Sequence, residues 1–96
     1  MKKTNNSNVA SNWSSNRESQ SHNGSFSTDG RNLYSYRQLI GITLSNGEKI
    51  ALNYTGKNKG ISISQTTSCH VGLASRNADQ TMNPDVAKEA GLIHEI

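Results

Sequence analysis

The chain has 96 residues, 31% of them hydrophobic and 18% charged, and ten Lys and Arg against seven Asp and Glu leave a formal net charge of +3. Globular domains usually reach roughly 45–50% apolar residues with Gly included, and the eight Gly here do not close that gap. Such a chain can bury one modest core; a large substrate cavity, a second domain and a dinucleotide-binding α/β fold are not expected at this length, and the interleaved charges permit an anionic partner without arguing for one.

In chain order, residues 1–24 read as low complexity, since 14 of the first 30 residues are Ser or Asn. So little apolar surface cannot offset the entropy of ordering the chain, so a disordered tail over 1–24 and one small domain over 25–96 are expected. Trp13 is the exception. It is read as a piece of core reaching back, in preference to a partner anchor, because one buried Trp is a large share of a small core.

Regular structure is expected from Ser25. Phe26, Thr28-Asp29-Gly30 and Leu33 spell a strand, a tight turn and a second strand. Tyr34, Tyr36, Ile40, Ile42 and Leu44 then sit at period two, interrupted at Gln38, which predicts a strand with one apolar, aromatic face. Gly41 within that run suggests a bend or bulge. Ser45-Asn46-Gly47-Glu48 is a turn, Ile50, Leu52 and Tyr54 resume the alternation, and Ile61 and Ile63 form a further strand after the 55–60 loop. This meander has one greasy side and needs a helix over it. Thr66-Thr67-Ser68 can cap a helix start, and Val71, Ala74, Ala78 and Met82 follow at helical spacing. Asn83-Pro84-Asp85 is a second helix start, ended by Gly91. The predicted fold is α+β: a small antiparallel sheet of three or four strands packed by one helix, with a short C-terminal helix and a disordered N-terminal tail.

The single Cys69 excludes an intrachain disulfide, and no apolar stretch follows Met1-Lys2-Lys3, so an intracellular protein without a membrane segment is expected. The four Asn-x-Ser/Thr triplets follow from the Ser and Asn richness and are not read as glycosylation sites.

Leu33-Tyr34-Ser35-Tyr36 with Ile40-Gly41, a glycine-turn hairpin, and Ser64-Gln65-Thr66-Thr67-Ser68-Cys69-His70 together resemble a family of small bacteriophage proteins, a domain of unknown function with "LYSY…IA" and "S-x-TTS-x-H" motifs. The resemblance spans roughly residues 30–75. It implies a phage origin, a small accessory role and a host-cytoplasmic setting, and no particular activity. The chain departs from the pattern at Gly41, where Ala is common, and at Cys69, where a basic residue is common.

Four chemistries are open to these residues. Cys69-His70 suggests a nucleophile and base, but adjacent helical residues point about 100° apart, and no orienting third group is spaced to serve them. His22, His70, His94 and Cys69 show no metal-ligand spacing. Tyr34, Tyr36 and Tyr54 near Arg31, Arg37, Lys57 and Lys59 are compatible with stacking single-stranded bases, although a core or core-edge role is simpler. Thr66, Thr67, Ser68 and His70 can hold a phosphate at a helix N-terminus, or serve as a structural cap. The expectation is a non-enzymatic accessory protein without a cofactor that binds a host or phage protein. A nucleic-acid module using Arg37, Lys57 and Lys59 is the alternative. Candidate binding residues are therefore Arg37, Lys57, Lys59, Thr66, Thr67, Ser68 and His70.

Overall fold

The computed structural model describes the backbone of residues 2–53 and 65–93, and the side chains of all of these except residues 65–68. The expected strand with Ile61 and Ile63, the Tyr54 position and the Lys57/Lys59 loop lie outside the described residues.

Among the described residues, ten elements follow one another: β1 (Lys3–Thr4), α1 (Asn6–Ser14), β2 (Glu18–Ser21), β3 (Phe26–Asp29), β4 (Leu33–Ser35), β5 (Gln38–Thr43), β6 (Lys49–Leu52), α2 (Gln65–Asn77), β7 (Gln80–Met82) and α3 (Pro84–Glu89). The strands form one seven-stranded sheet in sequence order. Strands β2 to β6 are an antiparallel meander, and each outer strand pairs parallel with its neighbour, β1 with β2 and β7 with β6. Parallel pairs need a crossover. Helix α1 lies in the first, and α2 lies in the second. The class is α+β, but among the described residues the sheet is mixed and seven-stranded with three helices. This corrects the expected three- or four-stranded antiparallel sheet under a single helix.

The expected disordered N-terminal tail is corrected as well. Residues 3–21 supply β1, α1 and β2. Asn5 caps α1 by accepting from the Asn8 amide at 2.8 Å. Val9, Ala10 and Trp13, at steps of one and three, form the buried stripe of that helix. Trp13 lies fully buried and donates from Nε1 to the Arg31 carbonyl at 2.9 Å. Low apolar content fails as a disorder signal here because the buried hydroxyls are paired. Asn12 donates to Ser19 Oγ at 3.0 Å, and Ser21 Oγ accepts from the Phe26 amide at 3.1 Å. A hydrogen-bonded hydroxyl can be buried at little cost.

Helix α1 packs over β2 and β3, α2 over β4, β5 and β6, and the two helices touch each other. Ser19, Thr28, Leu33, Gly41 and Ala51 align in register on the face beneath them. Gly41 is required there, since a Cβ would stand 2.8 Å from Trp13 Cζ2 and 2.9 Å from Leu33 Cβ. Lys49 is also buried, and its Nζ donates to Asn16 Oδ1 (2.9 Å), the Gly30 carbonyl (2.9 Å) and Thr43 Oγ1 (2.6 Å), 5.4 Å above the Trp13 ring. Burial, and then the nearby Arg31, hold its pKa below the ordinary lysine value.

Helix α2 buries Val71 and Ala74 but ends at Asn77. Met82, expected on its stripe, instead lies in β7, where parallel pairing with Leu52 of β6 wins. Helix α3 starts at Pro84 behind Asn83, whose side chain accepts from the Asp85 amide at 2.9 Å, and Gly91 follows it at φ +76°.

Candidate functional site: the β4–β5 hairpin tip over His70

The period-two run from Tyr34 to Leu44 is not one strand. Ser35 pairs with Gln38, so Tyr36-Arg37 is a two-residue hairpin tip, and an irregularity at Leu33/Tyr34 shifts the register behind it. Tyr36 adopts φ +56°. Tight hairpin turns demand such left-handed angles and normally fill them with Gly, Asn or Asp. A Tyr there costs about 1–2 kcal/mol. Its amide is held by the Ser25 carbonyl at 2.6 Å. The expected place of Tyr36 on the apolar face is therefore wrong: its side chain is 56% exposed, with Arg37 exposed beside it. Tyr34 is half-buried, and its hydroxyl accepts from Asn32 Nδ2 at 3.2 Å.

Beneath the tip lies His70, fully buried. Its Nδ1 shares a hydrogen bond with Ser35 Oγ at 2.7 Å, and its ring stacks on Phe26 at 4.3 Å and 5°. Phe26 and Ser35 are register partners on β3 and β4, so neighbouring strands present both to α2. The Tyr36 ring leans on His70 at 6.4 Å. His70 Nε2 is buried without a partner among the described residues. Whichever tautomer serves Ser35, one polar ring atom is left unsatisfied, at about 1–3 kcal/mol. Burial pushes the His70 pKa below the ordinary histidine value, so the ring is neutral near pH 7. The Phe26 face can attract a cation by about 0.5–2 kcal/mol, but an unpaired buried charge costs several kcal/mol, so desolvation wins.

The two pieces of sequence that carried the family resemblance thus meet. Ser35 of Leu33-Tyr34-Ser35-Tyr36 bonds His70 of the Thr-Thr-Ser-Cys-His segment. Thr66, Thr67 and Ser68 fall inside the first turn of α2, which begins at Gln65. Of the candidate residues, Arg37 and His70 are brought to one place, while Lys57 and Lys59 lie outside the described residues. Sequence reasoning missed Ser35 as the partner of His70 and Tyr36 as the displayed ring. An alternating pattern carries no mark of a turn made from Tyr-Arg.

Chemically the site is closed. Ser35 and His70 resemble a nucleophile and base in distance, but both are fully buried beside Phe26 and neither side chain is exposed to a substrate in this structure. Cys69 is exposed while the ring of its neighbour is buried, so the two do not act together. Elsewhere, a shallow cleft of about 370 Å³ is lined by Thr4, Asn5, Ser21, His22 and Asn23 among others. Asn23 Oδ1 there already accepts from Ser21 Oγ and from the Ser25 amide and hydroxyl. Among the described residues, no three His, Cys, Asp or Glu side chains gather to hold a metal ion, and no helix is long and apolar enough to cross a membrane.

Comparison with protein-family models, with curated proteins and with solved structures finds no match to this chain.

Proposed function

We propose that the chain is a non-enzymatic binding module that docks a protein through the β4–β5 hairpin tip. The observation that carries the reading is Tyr36, a large aromatic held at φ +56° and 56% exposed where a small turn residue would be easier. Residues kept in costly backbone conformations cluster at sites of function. Tyr and Arg are also the side chains that most often anchor protein interfaces, and Tyr36 and Arg37 stand side by side on a tight hairpin. In the setting that the phage-family resemblance implies, the partner is a host or phage protein met in the host cytoplasm.

The test compares the parent chain with Tyr36→Gly and Arg37→Ala. Gly suits the backbone at position 36, so the first variant keeps its fold. Partners captured from host lysate and identified should be retained by the parent and lost by both variants, with affinities then measured on the purified partner. Salt-dependent binding to DNA or RNA that survives both substitutions would replace this reading with a nucleic-acid one.

A further inference from the structure

We propose that His70 is a proton-operated latch on the β4–β5 hairpin: the neutral ring locks the tip that presents Tyr36 and Arg37, and protonation releases it. This regulation rests on the docking role of the tip proposed above.

Beyond the β3–β4 ladder, three contacts among the described residues hold the tip end of β4 to the body. Ser35 Oγ meets His70 Nδ1 at 2.7 Å, the Phe26 ring lies against the His70 ring at 4.3 Å, and the Tyr36 amide bonds the Ser25 carbonyl at 2.6 Å. The first two depend directly on the position of the imidazole ring. The third joins the residues adjacent to Ser35 and Phe26, the two strand positions that the ring touches. The tip also carries the left-handed backbone of Tyr36, which favours opening once its anchor is gone.

A second proton has no place in this slot. The imidazolium needs two acceptors, and among the described residues Nε2 has none. Among those same residues, no charge compensates. Helix α1 carries no ionisable side chain, and β3 supplies Phe26 to the ring while its one acid, Asp29, lies at the far end of that strand. On β4 the ionisable groups are Tyr34 and, at the tip, Tyr36, followed by Arg37. Strand β5 has none, and Lys49 of β6 is bound to Asn16, Gly30 and Thr43. Helix α2 itself offers Cys69 and Arg76, both exposed. The lowered pKa of His70 traces to burial alone. The ring therefore takes up a proton by leaving the slot, and that exit breaks the Ser35 bond and the Phe26 stack together.

Linkage sets the size of the effect. Below about pH 6.5 the open form binds a proton that the closed form refuses, so the open-to-closed ratio rises up to about tenfold per pH unit until the folded pKa is reached. The experiment follows the intact parent chain without any partner, from about pH 8 to about pH 4.5, a range that brackets the ordinary histidine value. Histidine ring resonances give the His70 titration, and amide exchange, corrected for its intrinsic pH dependence, gives the opening of the hairpin. The expected result is a His70 midpoint below about 6.5, with protection of the Tyr36 amide falling up to about tenfold per unit while the β5–β6 ladder holds. His70→Phe should flatten that fall. A His70 midpoint at or above about 6.5 in the folded protein overturns the latch, as does unchanged Tyr36 protection across the titration. The parent titration decides even if His70→Phe does not fold. A pH-dependent tip combined with unchanged partner binding by Tyr36→Gly keeps the latch and removes the docking role.

Discussion

A methyl group at position 41 tests the least expected feature of the fold, the N-terminal helix against the sheet. Gly41 lies in β5 outside the left-handed region, so Ala fits the backbone, and by restricting the unfolded chain it would stabilise by about 0.4–1 kcal/mol. Packing opposes this. The new Cβ would stand 2.8 Å from Trp13 Cζ2, 3.1 Å from Trp13 Cε2 and 2.9 Å from Leu33 Cβ. Neither neighbour can yield cheaply. Trp13 is pinned by its bond to the Arg31 carbonyl and by Lys49 above its ring, and Leu33 Cβ rides on a backbone paired with Gly41 itself. Overpacking of this kind costs about 1–3 kcal/mol, and with two immovable contacts the upper end applies. Gly41→Ala should therefore lose about 2 kcal/mol net, which lowers Tm by roughly 8–16 °C for a domain of this size. Urea unfolding followed by Trp fluorescence, with parent and variant compared at one pH, reads the change as a shift in midpoint at constant slope. A variant as stable as the parent would mean that Trp13 does not lie on β5 and that residues 1–21 are outside the core.

Three further outcomes follow from the same packing. A chain beginning at Asn23 loses β1, α1 and β2 with the buried Trp13, and should show no cooperative melting transition by circular dichroism. Tyr36→Gly exchanges a left-handed Tyr for the residue that tolerates the angle, so its stability should stay within about 1 kcal/mol of the parent in urea; a loss above about 2 kcal/mol would show that the ring belongs to the core. Lys49→Met takes the Lys49 donor from the Gly30 carbonyl and Asn16 Oδ1, while Thr43 Oγ1 keeps its bond to the Arg31 carbonyl, and the loss should cost about 1–3 kcal/mol at pH 7. Because the folded pKa of Lys49 is depressed, the unfolded chain holds the proton more tightly, so parent stability should climb as pH rises toward 10.5 and the variant should lose that slope.

Local signals in this chain were legible wherever one residue type has one physical use. Asp29-Gly30 and Asn46-Gly47 mark turns because Gly30 and Gly47 take φ +99° and +90°. Asn83-Pro84 marks a helix start because a capping side chain and a preset φ suit nothing else so well. The Tyr36-Arg37 tip was illegible for the complementary reason: neither residue is a turn former, and the alternation of Tyr34, Tyr36, Ile40 and Ile42 runs across the turn with a break only at Gln38. The N-terminal elements were hidden by composition. Ser19, Ser21 and Thr28 count as polar in any tally, yet each lies buried with its hydroxyl bonded. Strand β7 depends on parallel pairing with β6, about thirty residues earlier, a contact that no local window contains. At the site, His70 could be singled out by its neighbours in sequence, but its partner Ser35 could not, because only the packing of α2 on β4 joins them.

Histidine is not the residue that stability alone would select at position 70. Stacked on Phe26 in a dry slot, a phenyl ring would fill nearly the same space with no polar atom to satisfy. Imidazole adds one bond to Ser35, a net gain of about 0.5–1.5 kcal/mol, and leaves Nε2 unpaired among the described residues, a cost of about 1–3 kcal/mol. On stability near pH 7 the histidine therefore gains at most about 0.5 kcal/mol and over most of these ranges loses. The tip it anchors carries a second local cost, the left-handed Tyr36. Two residues that each work against their immediate surroundings, with ring centroids 6.4 Å apart, are hard to explain by folding alone. A phenylalanine in place of His70 and a glycine in place of Tyr36 would ease both costs. What His70 and Tyr36 provide instead is a buried titratable ring and an exposed aromatic ring on a tight hairpin, the two features on which the proposed docking tip and its latch rest.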